Sequence, residues 1–193
     1  MRFYDPHQGH VFVDGRDVRS YHRDDLHRKF GVVFQNDVVF ADTIRENIVF
    51  GRPVTEEQLL RASEDAMARG FIENTPEGYD HKAAIRGANF SGGQKQRLLI
   101  ARALAARPEI LVLDDASSAL DYRTDAELRR AIREHHGDAT TVVIAQRVSS
   151  ILSLDEIIVL HEGEMIGRGT HAQLMETCPE YRDICMAQMK EGE

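Results

Sequence analysis

The chain has 193 residues, of which 42% are hydrophobic and 29% charged, and its formal net charge is −8 at pH 7. This length and apolar content suffice for one domain with a full core. The acidic balance argues against an electrostatic nucleic-acid binder, because neutralising phosphates needs clustered lysine and arginine, so we expect no nucleic-acid partner. No stretch approaches the roughly 18 apolar residues of a membrane span, and the N-terminus lacks the apolar core of a signal peptide.

The first half of the chain predicts a hairpin, a buried strand and a helix. His10-Val-Phe-Val-Asp-Gly15 alternates apolar residues into an Asp-Gly turn, the strongest short-range hairpin signal. Residues 30–34 form a continuous apolar run of the buried-strand type. A capping-box pattern over residues 55–58 begins a helix with apolar positions at helical spacing, and we expect it to end near Gly70.

The second half predicts strands that alternate with helices. After a glycine-bearing loop at 87–93 we expect a helix over 94–104, a strand over 110–113, a helix over 125–134, strands over 140–145 and 157–160, and a C-terminal helix introduced by a capping box at 170–173. Buried apolar strands alternating with helices predict an α/β fold with a largely parallel sheet.

Polar side chains follow three of the predicted strands. Asp114 and Asp115 end the run Ile110-Leu-Val-Leu, Gln35 follows residues 30–34, and Gln146 follows residues 140–145. Ligands of open parallel sheets bind beyond the carboxyl ends of the strands, so these side chains are candidates for one site. Taken singly, each is also compatible with an ordinary polar residue at the end of a strand.

The loop Phe90-Ser-Gly-Gly-Gln94 precedes the predicted helix over 94–104. Successive glycines let the backbone approach an anion closely, while the following helix directs its free amides and positive dipole end at it, so phosphate is the natural ligand. A plain turn is the alternative. The loop is not a P-loop, because Gly93 occupies the position of the phosphate-binding lysine.

These motifs together resemble the nucleotide-binding domain of ATP-binding cassette (ABC) transporters. The resemblance rests on Phe90-Ser-Gly-Gly-Gln-Lys-Gln-Arg97, Ile110-Leu-Val-Leu-Asp-Asp115 and Ser118-Ala-Leu-Asp121, and its exporter branch on Arg2-Phe-Tyr-Asp-Pro6, Gly31-Val-Val-Phe-Gln35, Asp42-Thr-Ile-Arg-Glu-Asn47, Pro76-Glu-Gly-Tyr79 and Gly169-Thr-His171. It covers nearly the whole chain in the family's order. It implies a P-loop-NTPase-like α/β core in three parts: an antiparallel ribbon and Q-loop strand in 1–42, a helical subdomain in 43–104, and the remaining core with a C-terminal helix in 105–193.

The resemblance also implies roles for individual residues. Ser91, Gly92, Gly93 and Gln94 match the signature motif, which grips the γ-phosphate of an ATP held by the opposite subunit. Asp114 matches the Walker B aspartate that orients Mg²⁺ through water, Gln35 matches the Q-loop glutamine that senses nucleotide and Mg²⁺, and Asp121 ends the D-loop at the dimer interface. The expected ligands are therefore ATP and Mg²⁺.

The partners implied by the resemblance are a second ABC half-transporter and a transmembrane domain, either upstream in the same chain or in a partner chain. ATP binding and hydrolysis would drive export, with this domain at the cytoplasmic face of the membrane. A soluble ABC ATPase acting on nucleic acid and a non-functional remnant are the alternatives.

The sequence departs from the family at two catalytic positions. The family carries glutamate where Asp115 stands and histidine where Gln146 stands. Shortening Glu to Asp withdraws the carboxylate by about 1.5 Å, and a misplacement of about 1 Å at a reacting centre can cost on the order of 100-fold in rate. Glutamine can hydrogen-bond to phosphate but cannot become cationic. Together with Ile85, which replaces the family's X-loop glutamate, this predicts the degenerate half of a heterodimer, with neutral drift as the alternative.

The P-loop pattern Gly-x-x-x-x-Gly-Lys-Ser/Thr occurs nowhere in the sequence. In the family it lies upstream of the segment that resembles residues 2–6. We therefore expect the chain to be the C-terminal part of a longer exporter half, or a truncated product, without the first core strand. By itself it would bind ATP weakly and be marginally stable.

Three further groups of residues were considered as possible sites. Histidines 135 and 136 are predicted to face different directions at a solvated helix end, with no carboxylate at ligand spacing. Cys178 and Cys185 are expected to be reduced and to pack on one helical face. The basic residues of the signature helix, which are Lys95, Arg97 and Arg102, serve either helix solvation or phosphate binding.

Overall fold

The elements of the computed structural model, which describes residues 1–191, fall into two units, one of residues 1–144 and one that begins at Ala145. The first unit contains β1 (Phe12–Val13), β2 (Arg16–Asp17), α1 (Arg23–Arg28), β3 (Phe30–Val33), α2 (Ile44–Val49), α3 (Glu56–Asp65), α4 (Arg69–Glu73), α5 (Gly92–Ala105), β4 (Ile110–Asp114), α6 (Tyr122–His135) and β5 (Thr140–Ile144). The second contains β6 (Ile157–His161), β7 (Glu164–Gly169), α7 (His171–Thr177) and α8 (Pro179–Glu191). The predicted three-part division of the chain stays a prediction.

The N-terminal hairpin forms as the sequence predicts. Strands β1 and β2 pair antiparallel with Val13 opposite Arg16. The two turn residues, Asp14 and Gly15, have φ angles of 50° and 70°. Positive φ at both central residues is the geometry of a type I′ turn, and Asp-Gly tolerates it well.

Three parallel strands in the order β3-β4-β5 form the central sheet of the first unit. Val33 is in register with Leu113, and Leu113 with Val143, so the carboxyl ends of the strands lie at the same edge. The α/β fold is therefore confirmed. The two faces of the sheet are covered unequally. Leu111 and Leu113 are buried on one face; on the other, Phe30 and Ile110 pack against the cluster around Leu26, whereas Val142 is 45% exposed. The prediction of fully buried strands is wrong for β5.

Helix α5 covers the buried face of the sheet. Its residues from Leu98 to Ala105 are all buried. A Cβ at Gly31 in β3 would lie 2.4 Å from the carbonyl oxygen of Ala103 and 2.7 Å from Cγ of Pro108. Glycine at 31 is thus required for the close approach of this helix to the sheet.

The helix that begins at the capping box of Thr55 ends earlier than predicted. The box itself is present, with both reciprocal hydrogen bonds to Gln58. Helix α3 stops at Asp65, Met67 adopts a left-handed φ of 56°, and the chain resumes as α4, which contains Gly70. The predicted end near Gly70 is wrong because two helices with a sharp turn between them occupy the stretch.

The second unit packs an antiparallel hairpin against two helices. Its core includes Leu174, Cys178, Tyr181 and Cys185, so the predicted packing role of the cysteines is confirmed. The prediction that they share one helical face is wrong, because Cys178 is the C-cap of α7 and Cys185 lies in α8. The Tyr181 hydroxyl lies 2.9 Å from Nδ1 of His171, and burial followed by its contact with Cys185 raises the pKa of Tyr181 to about 12. Within the described residues, no helix combines the length and apolarity that crossing a bilayer requires.

Candidate functional site

The start of α5 presents backbone amides at a glycine-rich turn. Ser91 is its N-cap: the Ser91 hydroxyl accepts from the Gln94 N–H at 3.2 Å, and the Gln94 side-chain oxygen accepts from the Ser91 N–H at 2.9 Å. Ser91 and Gly92 are exposed, and no acidic residue lies in the first turn. The positive end of the helix dipole is therefore open to an anion.

The signature glycines lie against the predicted D-loop of the same chain. A Cβ on Gly93 would be 3.2 Å from the Ala119 carbonyl oxygen and 3.9 Å from a methyl of Leu120. A Cβ on Gly92 would be 3.8 Å from the Ala119 Cβ. A side chain at 93 would therefore force the two segments apart, so glycine there keeps the two predicted motifs in contact.

Asp121 caps the helix that follows this loop. Its carboxylate accepts from the backbone N–H of Thr124 at 2.9 Å and from the Thr124 hydroxyl at 2.8 Å. These two hydrogen bonds hold the pKa of Asp121 below its ordinary value. The Asp121 carboxylate therefore serves as the N-cap of α6 and fixes the start of that helix.

Asp114 and Asp115 stand at the carboxyl end of the central strand. Asp114 is the last residue of β4, in register with Ile144, and is half-buried. Asp115 turns into the left-handed region with a φ of 50°, and its N–H donates to the Ile144 carbonyl at 2.8 Å. The Ser118 hydroxyl donates to the Asp115 carbonyl at 3.0 Å and closes the turn. Aspartate tolerates this backbone better than most residues, so the second carboxylate sits on a constrained turn.

Gln35 lies at the same edge of the sheet as the two aspartates. It is exposed and follows Val33 by two residues, as Asp115 follows Leu113. Mg²⁺ takes oxygen ligands and is commonly held by one or two protein groups together with substrate phosphates and water. The carboxylate of Asp114 and the side-chain amide of Gln35 are donors of this kind, so the residues present fit the ion.

Gln146 belongs to the second unit. It is exposed, and its backbone carbonyl accepts from Nε2 of Gln188 at 2.6 Å, while Oε1 of Gln188 accepts from the Val148 N–H at 2.8 Å. Gln188 therefore fixes the backbone on which Gln146 is carried. The predicted catalytic role of Gln146 stays a prediction.

Arg102 has a structural role that the sequence did not predict. This buried guanidinium donates to the Asn47 carbonyl at 2.8 Å, to the Asn47 side-chain oxygen at 3.0 Å and to the Val38 carbonyl at 3.0 Å. Asn47 in turn accepts from the Phe40 N–H at 2.8 Å. The segment just after Gln35 is thus tied to both α2 and α5. Burial lowers the pKa of Arg102, as expected for a cation removed from water.

Two other residues noted in the sequence, Arg97 and Ile85, differ in their surroundings: Arg97 makes packing contacts, and Ile85 lies at the surface. Arg97 donates to the Met67 carbonyl at 2.8 Å and lies over the ring of Phe71, so it joins α5 to the turn before α4. Neither of the two uses expected for the basic residues describes Arg97 or Arg102, since both make backbone contacts. Ile85 is 77% exposed and precedes Arg86, whose φ is 56°.

The histidine pair at the end of α6 contradicts the sequence interpretation. Nδ1 of His135 lies 2.7 Å from one carboxylate oxygen of Asp65, and Nε2 of His136 lies 2.9 Å from the other. His136 and Asp65 are buried. Both rings reach the same carboxylate because Asp65 approaches from another helix, 70 residues away in the chain. Spacing within the helix could not reveal it.

Comparisons with known proteins agree on the family. The ABC transporter family profile matches residues 1–118. An uncharacterized ABC transporter ATP-binding protein of Mycobacterium bovis is 42% identical over 191 residues, which are 97% of this chain and 32% of that protein. A Staphylococcus aureus relative provisionally named a multidrug export ATP-binding/permease protein is 41% identical over 175 residues, 90% of this chain and 30% of that protein.

A solved structure of an ABC exporter has the same fold as this chain. The structure of a bacterial Atm1-family ABC exporter with ATP bound matches with a TM-score of 0.93 and 38% identity, over 97% of this chain and 33% of that one. The chain therefore belongs to the ABC transporter family, and its α/β fold is that of the family's ATPase domain. It spans about a third of the length of these relatives.

Proposed function

We propose that this chain is the ATP-binding domain of an ABC exporter and that it couples ATP binding and hydrolysis to transport. The observation that carries the proposal is the open N-terminus of α5, where Ser91, Gly92 and Gly93 present a cap and two glycines against the Ala119 segment. Similarity to an exporter with ATP bound supports the direction of transport.

In this proposal the chain contributes to two ATP sites. The amides at 91–94 and the Ser91 hydroxyl bind the γ-phosphate of an ATP held by a second ABC half-transporter. Gln35 and Asp114 would hold Mg²⁺, and the ion would supply positive charge that neutralises the phosphates. The transmembrane domain lies upstream or in a partner chain, and this domain acts at the cytoplasmic face of the membrane.

The chain's own hydrolytic site is the weaker of the two ATP sites in the proposed assembly. Because the two sites differ, the two half-transporters differ and the assembly is a heterodimer. Asp115 is the base that accepts a proton from the attacking water. Its carboxylate is one carbon shorter than glutamate and stands on a left-handed turn closed by Ser118, so lateral adjustment of the backbone is restricted. Gln146 can donate a hydrogen bond to phosphate but supplies no positive charge.

The test restores both positions in the complete transporter that contains this chain. With the partner's own site silenced, Asp115→Glu combined with Gln146→His should raise phosphate release by on the order of 100-fold, the cost of about 1 Å at the reacting centre. Asp115→Asn is the matched control, since it keeps size and turn preference but removes the base, and should lower release. An unchanged rate in the restored variant would refute the account of a degenerate site.

A further inference from the structure

A buried amide, Asn47, ties the segment that follows Gln35 to helix α2. Asn47 is 2% exposed. Its Oδ1 accepts from the Phe40 N–H at 2.8 Å, and its Nδ2 donates to the Phe40 carbonyl at 3.0 Å and to the Thr43 carbonyl at 2.9 Å. Asn47 lies in one of the exporter-like motifs, residues 42–47, to which the proposed ATPase chemistry assigns no role.

Arg102 of helix α5 adds a second connection to the same segment. Its Nη2 donates to the Asn47 Oδ1 at 3.0 Å and its Nη1 to the Val38 carbonyl at 3.0 Å. The Asp37 carboxylate lies 3.5 Å from the same Nη1 and accepts from the Val38 N–H at 2.8 Å. Because Asn47 and Arg102 are both buried, water competes little for these hydrogen bonds. Residues 37–40 are thus held by α2 and α5 together.

Gln35 stands between this tied segment and the central sheet. Before it, Val33 ends strand β3, which pairs with β4. After it, the Asp37 N–H donates to the Phe34 carbonyl at 3.2 Å, which closes a turn with Gln35 at its first central position. The turn itself is exposed while both of its ends are fixed. The direction of the Gln35 side chain therefore depends on where residues 37–40 are held.

We propose that Asn47 and Arg102 are positioning residues for the metal ligand Gln35, and that they act by fixing its turn rather than by contacting the ion. This inference rests on the proposed function, in which Gln35 and Asp114 would hold Mg²⁺. The ion demands nearly ideal octahedral geometry, at about 2.0 to 2.1 Å from its ligands, so a displaced ligand costs affinity. Replacing a residue that orients a metal ligand typically lowers metal affinity by on the order of 10- to 100-fold.

A purely structural role for Asn47 and Arg102 is the alternative. In that case their replacement lowers the stability of the fold, and any effect on metal binding is the same whether Gln35 is present or absent. A double-mutant cycle separates the two interpretations, because effects that are transmitted through one residue are not additive.

The experiment measures metal affinity in the complete transporter that contains this chain, with the partner's own site silenced. Mn²⁺ replaces Mg²⁺, ATP is present, and EPR of the free Mn²⁺ gives the dissociation constant. Asn47→Asp keeps the shape and the acceptor of the side chain but removes the donors to Phe40 and Thr43. We expect Asn47→Asp and Gln35→Ala each to weaken Mn²⁺ binding about tenfold. The double variant should bind Mn²⁺ no more weakly than Gln35→Ala alone.

Asn74→Asp is the matched control, because it makes the same chemical change in an exposed amide that donates to a backbone carbonyl of α4. It should leave the Mn²⁺ affinity unchanged. Multiplied effects, about 100-fold in the double variant, would overturn the proposal, and so would an unchanged affinity in Asn47→Asp. If Gln35→Ala alone leaves the affinity unchanged, the metal role of Gln35 in the proposed function fails and the positioning role falls with it. Should Asn47→Asp not fold, Arg102→Lys, which keeps the charge but not the planar fork, takes its place in the same cycle with the same expectations.

Discussion

Removing the guanidinium of Arg102 should destabilise the first unit and loosen the segment after Gln35. Substitution by methionine keeps the apolar stem but removes every donor. The change leaves the Val38 and Asn47 carbonyls without the hydrogen bonds of 3.0 and 2.8 Å that Arg102 supplies. It also removes the contact with the Asp37 carboxylate, whose oxygen lies 3.5 Å away.

The magnitude follows from two opposing contributions. Breaking a buried charged interaction by removing one partner costs about 3 to 5 kcal/mol. Burial of the cation, which lowers the pKa of Arg102, offsets part of that. We therefore expect Arg102→Met to lower the free energy of unfolding by about 3 kcal/mol. For a chain of this size that corresponds to a fall of about 6 to 12 °C in Tm.

Urea unfolding and amide hydrogen exchange measure the two effects separately. Arg102→Lys should recover only part of the loss, because an ammonium group cannot reproduce the planar fork that reaches both Asn47 and Val38. Exchange of the Phe40 amide should quicken, since its acceptor, the side chain of Asn47, loses its anchor. Arg130→Met, at an exposed position of α6, is the control and should change stability by less than about 0.5 kcal/mol. A loss below about 1 kcal/mol for Arg102→Met would refute the reasoning, since a single net hydrogen bond is worth that much.

Two further predictions concern single positions. Gly31→Ala should destabilise the chain by about 1 to 3 kcal/mol in chemical denaturation, because its Cβ would lie 2.4 Å from the Ala103 carbonyl oxygen. Gly70→Ala, with open space around its Cβ, is the control and should be neutral or slightly stabilising. Equal effects of the two substitutions would contradict the close approach of helix α5 to Gly31. Hydrogen bonds from Thr124 lower the pKa of Asp121, so its carboxylate should stabilise the fold above about pH 4 and lose that effect as pH falls further. The difference in Tm between wild type and Asp121→Asn should therefore shrink between pH 5 and about pH 2. A constant difference would show that the ionised carboxylate is not the source of the stabilisation.

Much of the candidate site was readable from the sequence because its parts are local. The capping box at Ser91 involves residues three apart, and the polar residues at the strand ends are adjacent to apolar runs that define the strands. The parallel register then brings Gln35 and Asp114 to one edge, as strand geometry requires. The left-handed turn at Asp115 was not anticipated, because aspartate is also common in ordinary turns.

Sequence alone determined the elements whose signals lie within about one helical turn or one strand: the Asp-Gly hairpin, the capped helices and the apolar strands. Tertiary structure decided which polar groups become buried. Arg102 and Asn47 are 55 residues apart, and Asp65 and His135 are 70 apart, so their pairing depends on how helices pack. It also decided that one face of β5 stays exposed. A side chain's burial depends on what packs over it, and that neighbour is distant in the sequence, where neither periodicity nor spacing carries a signal.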